Sequence, residues 1–82
     1  MSIREELQEY SDEPLLFADG FDDSIIGVSD DFGKVRVVYC VEKMIEKLMS
    51  SGDTYLDARD WLEFNTLNAW VGENTPIYVE SN

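Results

Sequence analysis

Histidine is absent from these 82 residues, and that absence removes Ser-His and Cys-His nucleophile arrangements, which need an imidazole base. Cysteine occurs once, at Cys40, so no intramolecular disulfide can form and a reducing compartment is expected. A lone thiol at the end of a strand pattern reads as a small core residue, with a reactive thiol as the alternative. No glycine-rich phosphate loop occurs, and no apolar run approaches the ~20 residues of a membrane span. Met1-Ser2-Ile3-Arg4-Glu5-Glu6 lacks the apolar stretch of a signal peptide. These absences predict a cytoplasmic protein with no cofactor and no metal, and not an enzyme.

Positive charge is scarce as well. Six Lys and Arg stand against 18 Asp and Glu, for a net charge of -12. Residues 1–31 hold ten acids and one base, Arg4, whereas residues 32–82 hold eight acids and five bases. Binding a nucleic-acid backbone requires Lys and Arg to displace counterions, so direct DNA or RNA contact is not expected. An anionic membrane surface is disfavoured for the same reason. The natural complement is a basic protein surface.

Apolar residues make up 44% of the chain, with two Trp, four Tyr and four Phe to bury, so this is not a disordered acidic tail. The length suits one domain, 1–82, with a stability of roughly 4–12 kcal/mol. Its expected parts are an acidic helical arm over 1–13 and an α+β core over 14–79.

Ser2 and Glu5 have capping-box spacing, and Ile3, Leu7 and Tyr10 follow at i, i+4 and i+7, predicting a short helix that ends at Ser11 to Pro14. Leu15-Leu16-Phe17-Ala18, between Pro14 and Gly20, reads as a strand. Ile25–Val28 and Val35–Cys40 are β-branched runs flanking a turn-rich connection over Ser29–Lys34, and together predict a hairpin. A helical turn through Phe21, Ile25 and Val28 competes for the first run. Val41, Met44, Ile45, Leu48 and Met49 form a full helical stripe, stopped by Gly52. Thr54 caps a second helix on which Tyr55, Ala58, Trp61, Leu62 and Ala69 share a face. Phe64, Leu67 and Val71 lie opposite, so that helix is buried on two faces or broken before Gly72. Pro76-Ile77-Tyr78-Val79 is read as an edge strand. The expected architecture is α+β, a small antiparallel sheet packed against two α-helices, with a short N-terminal helix.

The segment Glu63-Phe64-Asn65-Thr66-Leu67-Asn68-Ala69-Trp70-Val71-Gly72-Glu73-Asn74-Thr75-Pro76-Ile77 resembles a pattern, F-N-x-x-x-A-[WY]-V-G-E-x-T-P, found in small acidic uncharacterised proteins of tailed bacteriophages. The resemblance extends to Asp19–Val28 and the Val38-Tyr39 pair, roughly Phe17 to Ile77 in all. It implies a phage origin and no particular chemistry.

Several groupings have competing readings. Carboxylate pairs can serve glycoside hydrolysis across a cleft, but acids here are so numerous that adjacent pairs carry little information. Asp19, Asp22 and Asp23 around Gly20, and Asp30 and Asp31 before Gly33, could attract Ca²⁺ or Mg²⁺. Neither cluster follows an EF-hand pattern, and solvated turn aspartates are the preferred account. Asn65 projects onto the apolar helix face between Trp61 or Leu62 and Ala69. A buried amide needs hydrogen bonds, so the preferred reading is a structural bond to backbone. A recognition surface of Asn65, Trp70 and Asn74 is the alternative.

The acidic array, with Asp30 and Asp31 at its far end, is either a solvated surface or an interface. A charge of -12 matches six base pairs of duplex, on the order of 20 Å, and a domain of this length is roughly 25–30 Å across, which permits nucleic-acid mimicry. The sequence therefore points to a phage host-takeover protein, an inhibitor of a CRISPR effector, nuclease, polymerase or gyrase. Glu5, Glu6, Glu9, Asp12, Glu13, Asp19, Asp22 and Asp23 would pair with a basic partner, and Tyr10 or Phe21 would anchor among them. The alternative is a self-associating module, a homodimer through Trp61, Phe64 and Trp70 or through an edge strand at Ile77–Val79.

Overall fold

The structure is a computed structural model that describes residues 2–67, 72 and 74–80. Its principal extents are 39 × 27 × 22 Å. The fold is α+β, and a three-stranded sheet forms its centre.

Helix α1, Ile3–Gln8, starts as its capping spacing predicts, with the Glu5 N–H donating to Ser2 Oγ at 3.3 Å. Leu7 is its buried residue. At the far end Gln8 holds the next turn from both sides. Its Nε2 donates to the Glu13 carbonyl at 2.8 Å, and its Oε1 accepts from the Leu15 N–H at 2.9 Å.

Leu15–Ala18 is not a strand, contrary to expectation. The segment pairs with no sheet edge, and its backbone donors find side chains instead: Leu15 reaches Gln8, and the Ala18 N–H donates to Tyr39 Oη at 2.8 Å. Buried donors must be satisfied by some acceptor, and two side chains replace the ladder here. A short 3-10 turn, Asp22–Ser24, then leads into β1, Ile25–Asp31.

Strand β1 pairs antiparallel with β2, Lys34–Cys40, so the hairpin forms. The expected six-residue connection shrinks to Phe32 and Gly33, both at positive φ (53° and 83°), as the favoured two-residue hairpin turn requires. Ile25 faces Tyr39 while Gly27 faces Val38, leaving Ile26 as the extra residue of a bulge and exposed. On β2, Val35, Val37 and Tyr39 are buried, alternating with half-buried Arg36, Val38 and Cys40. Cys40 thus sits opposite the buried side of its strand.

Strand β2 enters helix α2, Val41–Ser50, without a loop, because Cys40 both ends the strand and precedes the helix. Val41, Met44 and Ile45 of the stripe are buried, Leu48 is half-buried, and Met49 is exposed. Gly52, at φ 110°, closes the helix: its N–H donates to Met49 O at 3.0 Å, and Asp53 N–H to Leu48 O at 3.4 Å. This pair of bonds is a Schellman ending.

Helix α3, Tyr55–Leu62, is capped by Thr54 Oγ1, which accepts from the Asp57 N–H at 3.2 Å. Ala58 and Leu62 face the core. The regular helix then widens into a π turn, Glu63–Leu67, where Phe64 is exposed. Of the second face, Phe64 is therefore not buried, while Leu67 is half-buried against the core. Ala69, Trp70 and Val71 lie outside the described residues.

A turn from Gly72 to Thr75, closed by the Thr75 N–H on Gly72 O at 3.1 Å, delivers β3, Ile77–Val79. The sheet is mixed rather than wholly antiparallel, since β3 joins β2 in parallel, with Val38 facing Ile77 and Cys40 facing Val79. Tyr39 and Tyr78 stack across this pair at 5.7 Å between ring centroids.

Candidate functional site

Arg4 organises the acidic half. Its Nε lies 3.0 Å from both carboxylate oxygens of Asp22, its Nη2 lies 3.2 Å from Asp19 Oδ1, and its guanidinium covers the Phe17 ring at 4.9 Å. The hydrogen bond with Asp22 is the largest influence raising the Arg4 pKa, against a smaller lowering by burial. One cation thus ties helix α1 to the irregular segment before β1. Asp22 is half-buried in this bridge, whereas the Asp19 side chain is 98% exposed.

Six further carboxylates of this half are exposed. Glu5, Glu6 and Glu9 are exposed on α1, Asp12 and Glu13 in the turn beyond it, and Asp23 in the 3-10 turn. Among the described residues none of these six forms an ion pair with Lys or Arg. Tyr10 is exposed beside them. Phe21 is not available as an anchor: it is 5% exposed and packs on Trp61, with ring centroids 6.3 Å apart. An aromatic flanked by aspartates looks like a surface residue in one dimension, but this ring turns inward while its neighbours stay wet.

The shape reduces the charge density. A duplex as long as the 39 Å axis carries on the order of 23 charges, about twice the net charge of this chain. The net charge therefore does not match that of a duplex along the whole particle.

Among the concavities formed by the described residues, two include residues of β3. One, of about 630 Å³, contains Arg36 and Arg59 together with Glu63 and Glu80. Arg36 Nε donates to the Thr75 carbonyl at 2.6 Å, and Arg59 pairs with Glu63 at 3.4 Å and with Glu80. Hydrogen bonding with Glu80 raises the Arg59 pKa. Among the described residues that line this groove, two cations and two anions balance.

The second, a hollow of about 320 Å³, lies between the Leu16–Asp19 segment and the end of α3. Phe17, Phe21, Trp61, Pro76 and Tyr78 line it, with Asp19 at its edge. Sequence reasoning missed this place, because its walls come from three separated segments. No protein-family model matches this chain, and no curated protein or solved structure does either.

Asn65 is exposed, not set on an apolar face; its Nδ2 donates to the Trp61 carbonyl at 2.9 Å. Asn74 Nδ2 donates to the Val35 carbonyl at 2.9 Å, tying the approach of β3 to β2. Among the described residues no three carboxylate or thiol groups come together as a metal site. No helix among them is long and apolar enough to cross a membrane.

Proposed function

We propose that this is a small phage accessory protein that acts in the host cytoplasm by binding, without chemistry of its own. It inhibits a host protein that handles nucleic acid, such as a CRISPR effector, nuclease, polymerase or gyrase, by offering its acidic face to a groove built for phosphates. One observation carries this reading: Glu5, Glu6, Glu9, Asp12, Glu13 and Asp23 are exposed and pair with no Lys or Arg among the described residues, while the one base of their half is committed to Asp19 and Asp22. Unpaired carboxylates on one half steer a basic partner from a distance. The phage origin rests on the resemblance of the C-terminal segment.

The test is capture of partners from host lysate on the tagged protein at low salt, with stepwise salt elution. A nucleic-acid-handling protein released by moderate salt and displaced by added DNA supports the proposal. Retention through high salt would sink it.

A second reading has its own observation. Trp61 and Phe64, on α3 and its π turn, are 46% and 91% exposed, which favours a homodimer through these aromatics. A strict monomer in sedimentation at high concentration excludes it.

A further inference from the structure

We propose that the hollow between Phe17 and Trp61 receives an arginine side chain of the basic partner, an inference that rests on the acidic-face function proposed above. Aromatic faces attract cations, and guanidinium groups stack on them readily because they are planar and weakly hydrated. The hollow presents the aromatic rings of Phe17, Trp61 and Tyr78, with the Asp19 carboxylate at the edge. An arginine stem would lie against these rings while its head meets Asp19.

The fold already contains this chemistry once. Arg4 covers the Phe17 ring at 4.9 Å and bonds Asp19 and Asp22, yet it is not one of the walls of the hollow. The trio of Arg4, Asp19 and Asp22 retains one negative charge, and the 98% exposed Asp19 side chain uses only its Oδ1 on Arg4. A second guanidinium therefore meets a free carboxylate oxygen and a residual negative field. A wholly apolar or anionic side chain gains neither.

The test is a titration of the isotopically labelled full chain with a hexa-arginine peptide at low salt, followed by NMR. The largest shifts are expected at Phe17, Asp19 and the Trp61 indole. Asp19→Asn should weaken binding about fivefold, the upper range for an exposed charge pair. Asp23→Asn removes the same charge outside the hollow and should weaken it less than about twofold. Trp61→Leu, which keeps an apolar group against Phe21, should also weaken binding, and hexalysine should bind less tightly than hexa-arginine. Shifts confined to Glu5, Glu6, Glu9 and Glu13, or equal losses for the two aspartate variants, would overturn the hollow and leave the acidic-face function standing. No binding at low salt would overturn both.

Discussion

Arg4 and Asp22 stand eighteen positions apart in sequence, and the Arg4 Nε lies 3.0 Å from each Asp22 oxygen. This bridge, with its branch to Asp19, fastens α1 to the rest of the protein beside the buried Leu7. Arg4→Gln should therefore loosen α1 selectively. Amide exchange at Glu6 and Leu7 should quicken while β2 amides stay protected, at a global cost of about 0.5–1 kcal/mol. Uniform exchange across both elements would contradict the fastening role.

Alkaline pH should act through the stacked tyrosines. Burial raises the Tyr39 pKa, opposed by the Ala18 N–H bond, and burial likewise raises that of Tyr78. In the unfolded chain both ionise at about 10, so above that pH the folded state holds protons that the unfolded state has released. This stabilisation is complete below about 10 and is lost as pH rises through the higher folded values. Urea melts between neutral and alkaline pH should show the decline, and Tyr39→Phe should make it shallower. The same variant should cost about 1–2 kcal/mol at neutral pH by leaving the Ala18 N–H without its acceptor.

Phe32 occupies the hairpin tip at φ 53° and is fully exposed. An aromatic side chain in a left-handed conformation costs on the order of 1 kcal/mol, and this one recovers nothing from burial. Asn tolerates the conformation better. Phe32→Asn should raise the melting temperature by several degrees, at about 4–8 °C per kcal/mol for a domain of this size. An unchanged or lower melting temperature would show that the turn is not strained.

The two asparagines of the signature segment should respond differently to alanine. Asn74 bonds the Val35 carbonyl across 39 positions, whereas Asn65 bonds the Trp61 carbonyl of its own turn and is exposed. Asn74→Ala should destabilise by about 1 kcal/mol, and Asn65→Ala by less than about 0.5 kcal/mol. Comparable losses in denaturant melts would refute this difference.

Local signals were legible in the sequence. Ser2 and Thr54 cap their helices, Gly52 ends α2, and the β-branched runs form the hairpin. Interactions spanning long separations were not. Leu15–Ala18 has the composition of a strand, but its donors meet Gln8 and Tyr39, partners that no local pattern identifies. The direction of β3 depends on where the chain returns to the sheet, and its short apolar run suits either orientation. Of the proposed interface, the exposed carboxylates follow from composition, and the Arg4 bridge does not. Phe21 failed as an anchor because charge on both sides masks the direction in which its ring turns.

The parallel pairing of Val38 with Ile77 has a consequence for the order of folding. The hairpin and α2 join residues close in the chain, so they can assemble as soon as residues up to 50 have left the ribosome. The third strand must close a loop of almost forty residues, a slow, entropically opposed step. Until it does, the β2 edge stays open, with Val38 and Cys40 beside unpaired backbone that another chain can take up. During synthesis this is the interval in which aggregation competes with folding. The acidic arm, already made by then, gives nascent chains the mutual repulsion that keeps such edges apart.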